Sequence, residues 1–282
     1  MNKKVIGYIF SEKKLCEDEK FFMQAAEEKS VELIMFNLLD EFNEEKIKEK
    51  AAKCDIIYNN SAEPFAIEFV KTLESLGKKV IEPSENYYND EDKWLFFLKC
   101  NENKIPALET ILLSENLNLA KTELKNFNHW PVILKRIEGT CGEYVDKADN
   151  LTEAIHIIKK FWKKGSEKLP IIAQEFIPSY SYRVLVFNDK IIQTAVKRAH
   201  GWKKIGNYEK RNIRFKPDKE IENIIKKIHK VFKTKIYGID LLKKNEKWKV
   251  LELNASPGLD FFKCERKAII NKVLDFLIKE AK

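Results

Sequence analysis

The sequence is short of the residues that build disulfide frameworks and histidine metal sites. Its 282 residues include five cysteines and four histidines. The cysteines are dispersed without a C-x-x-C pair, and the histidines form no H-x-x-x-H pattern. An odd, scattered set of cysteines argues against a disulfide framework and against a zinc knuckle. A histidine-ligated metal has equally little support.

Long apolar segments are absent as well. No run approaches the ~18 residues that a membrane-spanning helix needs. The first apolar stretch, residues 5–10, ends in a charged segment. It is too short for a secretory signal and indicates a first strand instead. These features predict a cytoplasmic protein with no membrane partner.

The chain carries a moderate excess of positive charge, formally +8 at pH 7. Such a balance is compatible with nucleic acid, a membrane surface or anionic small molecules as partners. Most lysines, however, stand beside glutamates in amphipathic segments such as NEEKIKEKAAK, which is typical of solvated helix faces. Because the sequence contains no recognised nucleic-acid-binding module, we predict no nucleic-acid partner.

Apolar runs and helical segments alternate over residues 1–90. This alternation is typical of a parallel α/β unit. A turn-rich stretch, EPSENYYNDEDK, then leads to a helix at about 91–103. From about residue 129 the pattern changes to hairpins and single helices, so residues 91–282 are predicted to be α+β.

Turn and capping residues mark several predicted element ends. Gly77 is predicted to end one helix, and Thr152 to cap the start of another. Two hairpins are predicted, the first turning at Asn188-Asp189 and the second near residues 244–246.

The segment VLELNASPGL places a carboxylate and an amide side by side on a strand. Side chains alternate between the two faces of a strand. Val250, Glu252 and Asn254 are therefore predicted to share one face, and Leu251 and Leu253 the other.

The second hairpin brings a further carboxylate to this pair. A turn centred near residues 245–246 puts Asp240 opposite Glu252, within one residue. Facing side chains are about 5 Å apart. Two carboxylates and an amide are hard oxygen ligands suited to magnesium. Solvated acids on the wet face of a plain hairpin are the alternative, and this segment alone favours that alternative.

A second element, VILKRIEGTCGEYV, places Lys135 on a strand that ends in a glycine-rich turn at 138–142. Glycines there let backbone N–H groups approach a polyphosphate, and the lysine adds a positive charge. The segment matches neither the P-loop nor the G-x-G-x-x-G pattern. A plain hairpin is the alternative, but the combination with an Asp…Glu-x-Asn set a hundred residues later is much less expected by accident.

Taken in order, these segments resemble the RimK-like branch of the ATP-grasp superfamily. The segments that carry the resemblance are Asp92-Lys93, IPALET, VILKRIEGTCG, AQEFI, YRVLVFNDKIIQTAVKRA and YGIDLL…VLELNASPGL. The resemblance covers about residues 80–262. It implies an ATP-grasp fold with a pre-ATP-grasp α/β domain at 1–90, a central subdomain with the glycine loop at 91–180, and a C-terminal subdomain with the metal site at 181–282.

Enzymes of this branch are carboxylate–amine ligases. The resemblance implies that ATP phosphorylates a substrate carboxylate, that an amine attacks the acyl phosphate, and that ADP and phosphate leave. It also implies Mg²⁺, or Mn²⁺ in its place. No covalent nucleophile on the enzyme is needed, which agrees with the absence of a Ser/His/Asp or Cys/His arrangement.

The resemblance also implies three groups of site residues. The metal ligands are Asp240, Glu252 and Asn254. The nucleotide contacts are Lys93, Lys135, Glu138, Gly139, Thr140, Gly142, Gln174, Glu175, Phe176 and Asn207. The basic residues that face the phosphate or the carboxylate substrate are Arg183 and Arg198. A core position for Phe176 and a surface position for each arginine are the alternatives.

The sequence departs from the family pattern at several positions. Tyr144 stands where the loop often has a third glycine, which puts the usual loop closure in doubt. Ser181-Tyr182 replaces the aspartate expected before the hairpin arginine, which puts the ribose contact in doubt. Cys141 is interpreted as a small filler side chain and not as a redox group.

We predict a ligase that joins an amino acid, L-glutamate, to a carboxylate acceptor. Acceptors in this branch include a protein C-terminus, the glutamyl tail of a deazaflavin or pterin coenzyme, and the carrier protein of lysine biosynthesis. A basic cluster favours an acidic acceptor; its members are Lys197, Arg198, Lys203, Lys204, Lys210 and Arg211. Such enzymes are often dimers or tetramers. A catalytically silent ATP-binding regulator is the alternative, against which the intact ligand set argues.

Overall fold

The computed structural model describes residues 3–40, 43–61, 63–137, 142, 144–163, 168–197, 202, 213–259 and 262–281. Within these ranges the strands form three four-stranded sheets. No helix in the same ranges is both long enough and apolar enough to cross a lipid bilayer.

The first sheet is parallel, with strand order β2-β1-β3-β4. Its strands are β1 (Val5–Phe10), β2 (Glu32–Asn37), β3 (Ile56–Asn59) and β4 (Val80–Ile81). The connecting helices are α1 (Glu17–Glu28), α2 (Glu44–Lys53) and α3 (Pro64–Ser75). Gly77, with φ of +73°, follows the end of α3 as predicted. The predicted parallel α/β pattern is therefore confirmed for this part of the chain.

The turn-rich stretch after β4 contains a helix that the sequence analysis missed. It forms α4 (Ser84–Glu91), which is followed directly by α5 (Lys93–Glu102). Asp92 separates the two, because its carboxylate accepts the N–H groups of Trp94 and Leu95 at 2.9 and 2.8 Å and so caps α5. Asn, Ser and Asp are weak helix formers, and tertiary contacts outweigh that local preference in α4.

The second sheet is antiparallel, with strand order β5-β8-β6-β7. Its strands are β5 (Thr110–Leu113), β6 (Val132–Arg136), β7 (Val145–Ala148) and β8 (Ile171–Glu175). Helices α6 (Leu117–Phe127) and α7 (Leu151–Lys163) pack against its apolar face. The predicted Thr152 cap is wrong: α7 begins at Leu151, and Asn150 Oδ1 accepts the N–H of Glu153 at 3.0 Å.

The third sheet is antiparallel, with strand order β10-β9-β11-β12. Its strands are β9 (Ser181–Phe187), β10 (Lys190–Lys197), β11 (Ile236–Lys244) and β12 (Lys247–Asn254). Helix α8 (Lys219–Phe232) covers one face. Both hairpins turn through two residues with positive φ, Asn188-Asp189 and Asn245-Glu246. Such pairs form the type I′ turns that match the twist of the flanking strands.

Each hairpin of the third sheet contains a bulge on its second strand. The register shifts by one residue at Ile192 in β10 and at Leu251 in β12. One extra residue moves every side chain beyond it to the other face. The predicted face assignment around Val250 is therefore wrong: Val250 and Leu253 both lie in the core against α8, and Leu251 packs on the opposite face with Leu242.

The last helix, α9 (Lys263–Glu280), joins the first and third sheets. Its apolar residues, including Ile270, Leu274 and Leu277, share one core with β1 residues and with Leu185 and Ile236 of the third sheet. Each of the predicted units 1–90, 91–180 and 181–282 contains one sheet. The boundaries between the units stay a prediction.

Two buried acids attach the α4 segment to the start of β11. Glu82 Oε1 accepts the N–H groups of Lys235 at 3.0 Å and Ile236 at 2.8 Å. Asp90 Oδ2 accepts the hydroxyl of Thr234 at 2.5 Å. Burial raises the pKa of Glu82 from 4.5 to about 7, although these hydrogen bonds act in the opposite direction.

Glu82→Gln should reduce the pH dependence of stability. Because the native pKa is raised, the folded state binds more protons than the unfolded state between pH 4.5 and about 7. The free energy of unfolding should therefore fall as pH rises through this window, by about 1–3 kcal/mol from this group. Glutamine keeps the acceptor oxygen without the charge. Urea unfolding at pH 5 and 8 should show wild type losing more stability than the variant.

Glu82→Ala is the matched control. It removes the acceptor and should lower stability at both pH values. An equal pH response in wild type and Glu82→Gln would contradict the prediction.

Candidate active site

Asp240 on β11 is the centre of a buried charged cluster. Strand pairing puts it directly opposite Arg183 on β9 and opposite Glu252 on β12. Lys197 Nζ donates a hydrogen bond of 3.1 Å to Asp240 Oδ2. Arg183 Nε lies 2.9 Å from Asp240 Oδ1, an ion-pair distance, but its N–H does not point at that oxygen. The side chain of Asp240 is 3% exposed, so both cations compensate a buried charge.

The pKa of Asp240 is lowered despite its burial. Burial alone would raise it, because desolvation disfavours the charged form. The positive charges of Arg183 and then Lys197 outweigh this effect, and Glu252 acts in the same direction through a side-chain hydrogen bond. Asp240 is therefore ionised at neutral pH.

Lys135 reaches the same cluster from the second sheet. It lies on β6 and is 6% exposed. Burial lowers its pKa to about 8. The positive charge of Lys93 acts in the same direction, while Glu252 and Asp240 oppose it. The charges of residues on α5, β11 and β12 therefore act on this lysine of β6.

Lys93 is positioned by the start of α5. Its N–H donates to the carbonyl of Ile137 at 3.2 Å, and its ammonium group lies 3.5 Å from the same oxygen. Ile137 directly follows β6, which ends at Arg136. The first residue of α5 is therefore attached to the strand that carries Lys135.

Asn254 and Glu252 place two further oxygen-bearing side chains beside Asp240. Asn254 lies opposite Gly238 on β11, and its buried amide nitrogen has no hydrogen-bond partner within the described part of the chain. Among the described residues, no group of three or more His, Cys, Asp or Glu side chains could hold a metal ion. The set is thus two carboxylates and an amide, which suits a magnesium ion that takes its other ligands from water and phosphate.

Three of the predicted nucleotide contacts, Gln174, Glu175 and Phe176, lie at the end of β8 or directly after it. Glu175 is buried and forms an ion pair with Lys244 at the far end of β11. This ion pair connects the second sheet to the third. Gln174 donates to the hydroxyl of Thr110 at 3.1 Å, and the Phe176 ring lies 5.1 Å from the ammonium group of Lys147.

The amides of this segment are already engaged. The N–H of Glu175 donates to the carbonyl of Glu109 at 2.9 Å, and that of Phe176 donates to the carbonyl of Pro131 at 3.3 Å. A nucleotide base that pairs with this segment must therefore use backbone groups other than these two N–H groups.

Several predicted residues fall outside the described ranges. These are Glu138, Gly139, Thr140, Arg198 and Asn207, together with Cys141 and four members of the basic cluster, Lys203, Lys204, Lys210 and Arg211. Their predicted roles stay predictions.

The end of the glycine loop is described at two positions. Gly142 has φ of +68°, and Tyr144 has φ of +50°. The left-handed region is accessible to glycine and costly for a tyrosine. The Tyr144 ring lies 3.6 Å from the Arg136 guanidinium carbon and packs edge-on against Phe161, and these contacts compensate the backbone cost. Tyr144 therefore holds a left-handed backbone conformation that its ring contacts compensate.

Three residues of the cluster were missed as site residues in the sequence analysis. Lys197 precedes the predicted Arg198 and was counted only in the basic cluster. Glu91 accepts the N–H of Ala255 at 3.1 Å and so holds the turn after β12. Gly238 lies beneath the Arg183 guanidinium, where an added Cβ would be 2.2 Å from Nη1. The glycine in YGIDLL, two residues before Asp240, was the available signal for this close approach.

Comparisons with known proteins agree with this arrangement. The profile of the RimK-like ATP-grasp domain matches residues 90–277. The Coenzyme gamma-F420-2:alpha-L-glutamate ligase of Methanococcus maripaludis is 27% identical over 231 residues, which cover 77% of either chain.

Two solved structures share the fold. A RimK-domain ATP-grasp protein from Sphaerobacter thermophilus superposes over 97% of this chain and 99% of its own, with a TM-score of 0.76 and 15% identity. D-alanine–D-alanine ligase from Bacillus anthracis complexed with ATP covers 100% of this chain and 97% of its own, with a TM-score of 0.75 and 16% identity.

The fold and the charged cluster define an ATP-grasp protein. More specifically, the chain belongs to the RimK-like ATP-grasp family, since the family profile covers well over half of its length. The resemblance stated from the sequence is confirmed. The predicted fold class and the predicted enzyme class, a carboxylate–amine ligase, are confirmed with it.

Gly238→Ala should displace Arg183 from Asp240 without unfolding the chain. The closest contact of the added Cβ, at 2.2 Å, is with the end of the Arg183 side chain, and the next contacts lie at 3.2 Å, so the guanidinium is the group that must shift. Asp240 then loses Arg183 but keeps its ion pair with Lys197. The free energy of unfolding should therefore fall by about 1–3 kcal/mol, which is less than the cost of leaving a buried charge with no partner.

A double-mutant cycle by urea unfolding tests this explanation. Adding Gly238→Ala to Arg183→Met should cost little more than Arg183→Met alone, because the clash is then gone. Fully additive losses would show that Gly238 acts independently of Arg183.

Proposed function

We propose that this protein is an ATP- and Mg²⁺-dependent ligase that forms an amide bond between a carboxylate acceptor and L-glutamate through an acyl phosphate. The observation that carries the proposal is that Asp240, Glu252 and Asn254 lie near Lys93, Lys135 and Arg183, with Asp240, Lys135 and Arg183 buried. Hard oxygen ligands beside several cations suit a metal-bound polyphosphate.

Asp240, Glu252 and Asn254 would hold the metal ion. Two buried polar atoms of the described residues support the fit: Asp240 Oδ1 faces Arg183 at ion-pair distance without accepting a hydrogen bond from it, and the Asn254 amide nitrogen has no hydrogen-bond partner. Amide oxygen and nitrogen are assigned by their surroundings, so this side chain can present either atom. When bound, Mg²⁺ or Mn²⁺ supplies neutralisation of phosphate charge.

Lys93 and Lys135 are proposed to contact the nucleotide phosphates, with Arg183 facing the transferred phosphate or the acceptor carboxylate. Phosphoryl transfer depends mainly on positioning and on charge stabilisation. The roles implied for the 138–142 loop, Arg198 and Asn207 belong to the same proposal.

Gln174, Glu175 and Phe176 are proposed to border the adenine. The Glu175–Lys244 ion pair supports this role, because it fixes the end of β8 against the third sheet. A segment held from both sides offers a rigid edge for a planar base.

L-glutamate is proposed as the amine substrate because the relative from Methanococcus maripaludis is named as a glutamate ligase. The net charge of +8 supports an acidic acceptor. Acceptors compatible with the proposal are a small-molecule glutamyl tail, a protein C-terminus and a carrier protein.

The test is acceptor-dependent ADP release. The protein is incubated with ATP, Mg²⁺, L-glutamate and pools of carboxylate acceptors, and products are identified by mass. Asp240→Asn/Glu252→Gln should lower turnover at least about a hundredfold, because two proposed metal ligands lose their charge. Glu246→Gln, at the exposed turn of the same hairpin, is the control and should keep wild-type turnover.

ADP release that the double variant retains would refute the proposed site. ATP binding without turnover on any pool would favour the silent regulator instead.

The affinity for ATP should fall as pH rises through about 8. Lys135 loses its positive charge above its lowered pKa of about 8, and with it the attraction for phosphate. Titration with a fluorescent ATP analogue at pH 7 and 9 should show a loss of affinity of up to about tenfold. The charged fraction of Lys135 falls by the same factor between these two pH values. Lys135→Arg stays charged and should show a smaller pH response; equal responses would contradict this explanation.

A further inference from the structure

Both oxygens of Asp240, a proposed metal ligand, lie beside protein cations. Oδ1 faces Arg183 at 2.9 Å and Oδ2 faces Lys197 at 3.1 Å. The side chains of the two cations are 10% and 8% exposed, so water screens them little. In this environment the charge of Asp240 is already compensated without a metal ion.

This compensation opposes the entry of a free divalent cation. A dication that approached Asp240 Oδ2 would meet the Lys197 ammonium group at contact distance, and repulsion between charges is strong where water is excluded. Lys135 and Lys93 add positive charge from the side of the second sheet. A polyphosphate changes this balance of charge, because it offers Arg183 and Lys197 new anionic partners.

The two cations differ in their freedom to leave Asp240. The Arg183 guanidinium lies over Gly238, where an added Cβ would be 2.2 Å from Nη1, and its planar fork is the more rigid of the two cationic groups. Lys197 is the last residue of β10, and its ammonium group sits on a flexible stem. Lys197 is thus the better placed of the two to exchange a carboxylate for a phosphate.

We propose that Lys197 makes metal binding dependent on nucleotide. Its ammonium group donates to Asp240 Oδ2 in the absence of nucleotide. It moves to the polyphosphate when the metal ion binds as a complex with the nucleotide. Lys197 is a positioning residue in this scheme, because it acts on the metal through Asp240. The inference rests on the metal site of the proposed function.

Mn²⁺ binding followed by electron paramagnetic resonance tests the inference without catalysis. Wild type should bind Mn²⁺ weakly alone and much more tightly with ADP. Lys197→Met keeps the length of the side chain and removes its charge. This variant should bind Mn²⁺ without nucleotide at least about tenfold more tightly than wild type, since one charge beside the ligand is gone.

Lys190→Met is the matched control, because it removes a lysine from the exposed start of the same strand. It should bind Mn²⁺ as wild type does. Lys197→Arg retains the charge and should also resemble wild type. If Lys197→Met does not fold, as judged by circular dichroism, Lys197→Gln replaces it in the same titration.

Unchanged or weaker nucleotide-free Mn²⁺ binding in the neutral variant would overturn the inference. Asp240→Asn separates this failure from failure of the proposed site. If Mn²⁺ binding with ADP does not depend on Asp240, the metal site itself is wrong. If it does depend on Asp240 while Lys197→Met has no effect, only the role of Lys197 is wrong.

Discussion

The buried carboxylate of Asp240 is the constraint on which the site depends. An ionised carboxylate withdrawn from water is costly unless cations and hydrogen bonds compensate it. Here Arg183 and Lys197 supply that compensation from two neighbouring strands. The positions of β9, β10 and β11 are thereby coupled to the state of one side chain, and any ligand that engages Asp240 must compete with these contacts.

The compensation is possible because three local backbone features coincide. The bulge at Leu251 brings Glu252 opposite Asp240, and the bulge at Ile192 puts Lys197 on the face of Arg183. Gly238 leaves room for the Arg183 guanidinium. Without either bulge a side chain of the cluster would point to the opposite face, since strand side chains alternate. The chemistry of the cluster therefore depends on two single-residue irregularities.

The sequence predicted the strand and helix pattern well where apolar periodicity and turn residues agreed. The two type I′ turns and the end of α3 at Gly77 are examples. It failed for α4, where turn-forming residues concealed a helix that Glu82 and Asp90 fasten to β11. It also failed for the faces of β12, because a bulge leaves no clear signal in residue type. Both failures have the same cause, in that contacts distant along the chain outweighed local preference.

By itself the sequence determined the family, the ATP-grasp fold and the residue types of the site, because hydrophobic periodicity, turn chemistry and motif order are properties of the linear chain. Only the tertiary structure decided which charges meet. Lys197 and Glu91 joined the site through strand register and through the turn after β12, and Tyr144 holds its left-handed conformation by packing against Arg136 and Phe161. The physical reason is that burial and facing geometry, which set the strength of charge interactions, arise only when the sheets are assembled.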